Sequence, residues 1–176
     1  MDLEHRSAIE LRADGRRLVG YAAVFNLPAQ IMDFREIIRP GAFRSTLASR
    51  ADVLALVDHD PARLLARTKS GTLRLVEDVK GLAFDLSVPS TTLGADILAM
   101  VERGDVGGAS FGFRVTDEAW PSRTEREIRS VELAEISIVH AWPAYDATSV
   151  TARHRGATAP KLGASPAARL RLLAVL

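Results

Sequence analysis

The sequence contains no cysteine, no long apolar run and almost no excess of charge of either sign. The lack of cysteine excludes disulfides, thiolate metal sites and a cysteine nucleophile. No stretch approaches the ~20 apolar residues that a membrane-spanning helix needs, and the charged N-terminus does not resemble a signal peptide. With 23 basic and 22 acidic side chains the net charge is +1, so no overall field draws the protein onto nucleic acid. We therefore expect a soluble, intracellular protein with no nucleic-acid or membrane partner.

The chain is long enough for one domain with a proper core. Its 176 residues are 47% hydrophobic and 26% charged, close to the average of globular proteins. Residues 156–166 collect Gly, Ala, Thr, Ser and Pro, which is typical of a linker, and a short leucine-rich segment follows at 167–176. We interpret 1–153 as the functional domain and 154–176 as a flexible linker with a short apolar helix or tail.

Alternation and turn residues predict a mainly β chain with two helices, an α+β fold. Helices are expected at 42–49 and 92–103, and a charged, polar loop at 117–130. Strands that are apolar on both faces favour a small barrel with flanking helices. The predicted strands are 3–12, 16–25, 34–38, 53–57, 72–76, 82–88, 108–116 and 131–139.

Two segments carry side chains suited to a serine hydrolase. His59 follows the apolar strand at 53–57, and Ser110 lies in a glycine-rich strand. Alternation places Ser110 on one face with Gly112 and Arg114, opposite the aromatic side chains, so we expect its hydroxyl to face a groove. A serine hydroxyl becomes a nucleophile when an imidazole takes its proton, and that imidazole needs a third group to hold its tautomer and charge. Taken singly, both residues are also ordinary polar residues of strands and strand ends.

Two residues compete for the third place. Glu135 is a carboxylate in an otherwise apolar strand, where a buried charge needs a partner, although an exposed edge strand would also explain it. His140 stands at the end of the same strand. A carboxylate holds an imidazolium better than an imidazole does, which favours Glu135. Arg114 is a candidate for stabilising an oxyanion, the simpler alternative being a surface arginine.

Five segments, taken in order, resemble the prohead (capsid maturation) protease family of tailed bacteriophages and gene-transfer elements. Together they cover about residues 3–153, and their combination is far more specific than any one of them. They are GYAAVF at 20–25, FREIIRPGAF at 34–43, HDP at 59–61, GASFGF at 108–113, and EISIV at 135–139 leading to PAY at 143–145.

The resemblance implies a closed or nearly closed β-barrel ringed by helices, similar to the herpesvirus assembly protease. It implies that His59 is the base and Ser110 the nucleophile. Herpesvirus enzymes use a second histidine, which would favour His140, whereas the Glu-Ile-Ser motif of the phage family favours Glu135. It also implies that the substrate is the scaffold segment of the major capsid protein, cleaved inside the immature capsid in the bacterial cytoplasm.

The functional prediction is a serine endopeptidase that cleaves the capsid protein and also itself, with no cofactor or metal. Self-association is a further expectation. Two alternatives remain open at this point. A catalytically silent capsid-assembly or scaffolding module would keep the fold without turnover, and an esterase or amidase would use the same triad on a small molecule. A shallow, open groove would favour a peptide, and a deep, closed pocket would favour a small ester.

Overall fold

The structure is a computed structural model that describes residues 3–8, 11–106 and 108–140. These ranges lie within a compact unit of the chain, Met1–Tyr145. The predicted boundary at residue 153 and the predicted tail lie outside the described residues and stay predictions. None of the helices within the described ranges is long and apolar enough to span a membrane.

Strands dominate the described part of the chain, and two helices accompany them. The helices are α1 (Arg44–Ser49) and α2 (Thr92–Arg103). The strands are β1 (Glu4–Ala8), β2 (Leu11–Asp14), β3 (Arg17–Val24), β4 (Ala29–Ile31), β5 (Phe34–Ile38), β6 (Leu54–Val57), β7 (Asp60–Arg67), β8 (Leu73–Glu77), β9 (Gly81–Ser87), β10 (Gly108–Ser122) and β11 (Glu125–Val139).

The strands form two hydrogen-bonded sheets. The larger has the order β1-β10-β11-β5-β4, with β6 also paired to β11 and β7 to β6, and the smaller has the order β2-β3-β9-β8. The prediction of a mainly β fold with two helices is confirmed. The pairings within the described residues do not close into a ring, so the closed or nearly closed barrel stays a prediction.

The long hairpin of β10 and β11 corrects one prediction. The segment 117–130, expected to be a charged loop, continues both strands to a tight turn between Ser122 and Glu125. Its polar side chains pair with each other instead of marking a loop. Arg126 Nη2 lies 2.6 Å from Glu118 Oε2, and the Arg126 guanidinium lies 5.9 Å from the ring centroid of Trp120. Charge composition alone could not distinguish these cross-strand pairs from a solvated loop.

Three further strand predictions were incomplete. The expected strand at 3–12 is divided into β1 and β2, which belong to different sheets. β4 and β7 were not predicted at all. β7 contains Pro61 and begins with exposed residues, so it lacks the clean alternation that identifies a strand. It is nevertheless the hairpin partner of β6.

The length of β11 brings the site together. Its first half pairs in parallel with β5, and its second half pairs in parallel with β6, from Glu135↔Leu54 to Ile138↔Val57. β10 runs antiparallel on the other side of β11. The turn that follows β6 therefore lies beside the end of β11, with β10 one strand away. Buried aromatic rings support this region, Phe111 lying 5.7 Å from Phe43 and 5.0 Å from Phe113 between ring centroids.

Candidate active site

His59 lies in the two-residue turn that joins β6 to β7. Asp58 and His59 have φ of 52° and 61°, the positive values that a type I′ hairpin turn requires at both central positions. Left-handed backbone costs a non-glycine residue roughly 1–2 kcal/mol. Hydrogen bonds of Asp58 fasten the turn to the end of β11, among them Asp58 N to Ile138 O (3.0 Å) and His140 N to Asp58 Oδ1 (2.9 Å). Strained backbone of this kind concentrates at functional sites.

A ring of hydrogen bonds fixes the His59 imidazole on Glu135. His59 Nδ1 donates to Glu135 Oε1 at 2.6 Å, and Ser137 Oγ donates to Glu135 Oε2 at 2.6 Å. The same hydroxyl accepts the backbone N–H of His59 at 3.1 Å. Both carboxylate oxygens are engaged, and Glu135 is only 6% exposed. This arrangement selects the tautomer in which His59 carries its proton on Nδ1, and it leaves Nε2 free to accept another.

A β-bulge aims Glu135 toward His59. Gly112 pairs with Glu135, whereas the next residue of β10, Phe113, pairs with Leu133, so Ala134 is the extra residue on β11. Phe113 and Leu133 are buried in the core. Simple alternation groups Leu133 with Glu135 on one face, and the bulge separates them. The carboxylate thereby enters the site while its neighbours along the strand stay in the core.

Gly112 provides the space that Glu135 occupies. A Cβ atom at this position would lie 2.5 Å from Glu135 Oε1 and 3.1 Å from the imidazole of His5. Both distances are shorter than ordinary van der Waals contact. The close approach of Glu135 and His5 to this backbone therefore requires a glycine.

Ser110 lies on β10 directly opposite Ser137 of β11. Directly opposed residues have Cα atoms about 4.5–5.5 Å apart and share a face of the sheet. Ser110 and Ser137 thus face the same way as the neighbouring pair, Gly112 and Glu135. The Ser110 side chain is 1% exposed, and its hydroxyl donates to Arg6 O at 2.8 Å. The expectation that this hydroxyl faces an open groove is wrong for this conformation, in which the carbonyl of β1 holds its proton.

An ionic network fixes β1 and with it the Arg6 carbonyl. Arg6 Nε donates to Glu36 Oε1 (2.5 Å) and Arg6 Nη2 to Glu4 Oε2 (2.7 Å), while Arg126 Nη1 donates to Glu36 Oε2 (2.9 Å). Glu36 is 2% exposed. Burial lowers the pKa of Arg6, but its hydrogen bonds to Glu36 and Glu4 outweigh burial, and the net pKa is raised. Substitution of Glu36 would remove a buried charge partner of both Arg6 and Arg126.

His140 and Arg114 lie in different surroundings from those that their predicted roles require. His140 Nδ1 lies 2.6 Å from Asp58 Oδ2, so the structure pairs His140 with the turn and Glu135 with His59. Arg114 is exposed, and its backbone lies opposite that of Glu132 in the hairpin. It is four residues from Ser110, about 13 Å along a strand. Both roles stay predictions.

Residues 2–161 match the sequence model of the caudovirus prohead serine protease family. The chain belongs to this family. The prohead protease of Enterobacteria phage HK97 is 32% identical to this chain over 149 residues, which is 82% of this chain and 64% of that protein. The capsid assembly protease of bacteriophage T4 shares the fold, with a TM-score of 0.54 over 80% of this chain and 98% of that one, at 9% identity.

Membership confirms the predicted prohead protease family and makes this chain a member of a peptidase family. The chain spans 64% of the length of the curated relative that it matches.

This prohead protease family member carries a site residue that the sequence analysis missed, His5 of β1. Its backbone pairs with Gly112 of β10, and its Nε2 lies 3.6 Å from Glu135 Oε1. Its ring centroid is 4.1 Å from that of His59. Burial and the neighbouring His59 lower the pKa of His5, although Glu135 opposes them. A histidine in the fifth position of a chain belongs to no local motif, so only the pairing of β1 with β10 identifies it.

Proposed function

We propose that this chain is a serine endopeptidase that cleaves scaffold segments from the major capsid protein during maturation of a phage-like prohead. One observation carries the proposal. The imidazole of His59 is bonded to the buried Glu135 at 2.6 Å. Glu135 lies on β11, the strand next to the one that carries Ser110, and faces the same side of the sheet. This arrangement supports the proposal, because acyl transfer needs a nucleophile, a base and an orienting carboxylate near one another.

In the proposed mechanism His59 Nε2 takes the hydroxyl proton of Ser110 while Ser110 Oγ attacks the scissile carbonyl carbon. Glu135 accepts the Nδ1 hydrogen bond and stabilises the imidazolium that forms. Collapse of the tetrahedral intermediate breaks the peptide bond, and His59 returns the proton to the leaving amine. Water then hydrolyses the acyl-enzyme with the same base. Ser137 acts as a positioning residue, since it holds Glu135 Oε2 and the backbone of His59.

The Ser110 hydroxyl has to change partner before catalysis. In the present conformation its proton is held by the Arg6 carbonyl. Rotation about χ1 moves a hydroxyl between staggered positions without moving the backbone, and catalytic hydrogen bonds are often formed only in the substrate complex. We propose that substrate binding shifts this hydroxyl from Arg6 to His59.

A peptide substrate suits the position of the imidazoles better than a small ester. The side chains of His5 and His59 are 40% and 26% exposed, which places them at the surface and not in a closed cavity. Extended segments of other chains can reach such a site. We also propose that this protein forms a barrel similar to that of the herpesvirus assembly protease, that it self-associates, and that it acts inside the immature capsid in the bacterial cytoplasm.

The experiment is co-expression with the major capsid protein of the same source, followed by mass spectrometry of that capsid protein. Ser110→Ala should abolish its cleavage, since removing a nucleophile costs about 10⁴–10⁶ in rate. Ser87→Ala, at an exposed position of β9, is the matched control and should cleave normally. Wild-type-like processing by the Ser110 variant would contradict the serine mechanism. A wild-type chain that leaves the capsid protein intact would favour the silent assembly module.

A further inference from the structure

Three potential metal ligands converge at the site, each from a different part of the sheet. They are His5 of β1, His59 of the turn after β6, and Glu135 of β11, and their ligand atoms all lie within 4.8 Å of one another. His59 Nδ1 is 2.6 Å and His5 Nε2 is 3.6 Å from the same oxygen, Glu135 Oε1. Two imidazoles and one carboxylate form a ligand set known for zinc.

The register of three strands holds these groups together. His5, Gly112 and Glu135 stand side by side on β1, β10 and β11. Because Gly112 has no side chain, His5 and Glu135 meet across β10, and a Cβ there would lie 3.1 Å from His5 Nε2 and 2.5 Å from Glu135 Oε1. The backbone pairing of three neighbouring strands therefore brings the cluster together.

We propose that His5, His59 and Glu135 form a binding site for a divalent transition metal, with Zn²⁺ as the best chemical match. Zinc binds imidazole nitrogen and carboxylate oxygen at about 2.0–2.2 Å in a tetrahedron, so that its ligand atoms are about 3.3 Å apart. The separations from Glu135 Oε1, 2.6 and 3.6 Å, lie on either side of that value, and no two ligand atoms are more than 4.8 Å apart. His5, which is 40% exposed, gives the ion a path from solvent, and water completes the tetrahedron.

Zinc in this site inhibits the protease, a consequence that rests on the proposed role of His59. A neutral imidazole carries a hydrogen on one nitrogen and a lone pair on the other. When the lone pair of Nδ1 is bound to zinc, the hydrogen of His59 has to sit on Nε2. That nitrogen can then donate but cannot accept the Ser110 proton. The inhibition is reversible, because it involves no covalent change.

The first experiment measures metal binding without any use of activity. The protein carries Ser110→Ala, to prevent self-cleavage, and has no polyhistidine tag. Zn²⁺ binding is measured by titration calorimetry, and Co²⁺ replaces zinc as a probe whose visible absorption reports tetrahedral coordination. We expect one ion per chain. His5→Phe, which keeps a ring against His59, and His5→Asn should each weaken binding by more than the roughly 10–100-fold that follows loss of a second-shell partner.

His140→Asn is the matched control, because it removes a described histidine outside the cluster and keeps a group that can donate to Asp58. It should leave the zinc affinity unchanged within a factor of about three. Absence of binding, or equal losses from the His5 and His140 variants, would overturn the proposal.

The second experiment measures capsid cleavage with increasing Zn²⁺, each variant being compared with its own activity without metal. Wild-type activity should fall at the zinc concentration that fills the site and return when EDTA is added, and His5→Phe should need a much higher concentration. Identical zinc inhibition of the wild type and of His5→Phe would overturn the proposal. If the wild type never cleaves, the proposed function fails, and the calorimetry and Co²⁺ spectrum still decide the metal site.

Discussion

Substitution of Gly112 by Ala tests whether the contact between Glu135 and His59 limits the rate of cleavage. The added Cβ would lie 2.5 Å from Glu135 Oε1, the oxygen that binds His59 Nδ1 at 2.6 Å. The backbone of Gly112 is not in the left-handed region that disfavours alanine. The substitution therefore acts mainly through this contact, and the strand itself should persist.

The expected magnitude follows from the distance. Restoring ordinary van der Waals contact moves the carboxylate oxygen by about 1 Å. A shift of that size stretches the bond to His59 beyond hydrogen-bond range. Misplacement of a catalytic group by 1 Å costs about 100-fold in rate, which corresponds to about 2.7 kcal/mol of activation free energy. We expect kcat for capsid cleavage to fall by about this factor.

The assay follows conversion of purified capsid protein by intact mass over time, beside a urea unfolding curve for each variant. Gly104→Ala is the control. Gly104 ends α2 with φ of 79°, and an added Cβ meets no atom within 4 Å, so this variant loses roughly 1–2 kcal/mol of stability through its left-handed backbone while the site is unchanged. Normal cleavage by Gly112→Ala would refute the reasoning. A loss of rate of similar size in Gly104→Ala would show that general destabilisation, and not the Glu135 contact, limits cleavage.

Glu135→Gln should slow cleavage more than His140→Gln in the same mass assay, because Glu135 bonds to His59 and His140 bonds to Asp58, each at 2.6 Å. The opposite order would assign the third place to His140. Asp58→Asn should lower the free energy of unfolding at pH 7. Burial raises the pKa of Asp58, but hydrogen bonds from His140 and Arg63 outweigh burial and lower the net pKa, so the folded state stabilises the ionised carboxylate. This contribution is complete above the ordinary value of 3.8 and is lost as pH falls through the lowered pKa. Urea titrations at pH 7 and near pH 3 measure it, and an equal difference at both pH values would contradict the assignment.

Local features were predictable where neighbouring residues decide them. Helix α2 was predicted at its observed bounds. In the structure Thr91 Oγ1 accepts the N–H of Gly94 at 3.2 Å, and Gly104 ends the helix in the left-handed conformation. The hairpin of β2 and β3 turns at Gly15 and Arg16, beside the aspartate-glycine pair that is typical of such turns. Helix caps and tight turns depend on interactions among a few neighbouring residues, so the local sequence is enough to predict them.

Strands that owe their existence to distant partners were not predictable in this way. β7 has an irregular pattern and is specified by its pairing with β6. The arm of β10 and β11 beyond residue 116 looks like a polar loop, and its ordering depends on pairs such as Arg126 with Glu118. Cross-strand contacts stabilise these strands, and a local alternation pattern cannot predict such contacts.

The sequence by itself determined the family, the mainly β composition, and the three side chains proposed for catalysis. The tertiary structure decided how they meet. The bulge at Ala134 aims Glu135 at His59, Gly112 leaves room for that carboxylate, and β1 adds His5 and the carbonyl that holds the Ser110 hydroxyl. A motif records which residues are present, whereas register and bulges depend on how separate segments pair, β1 with β10, β10 with β11 and β6 with β11. That pairing is a property of the whole fold, so only the structure could show it.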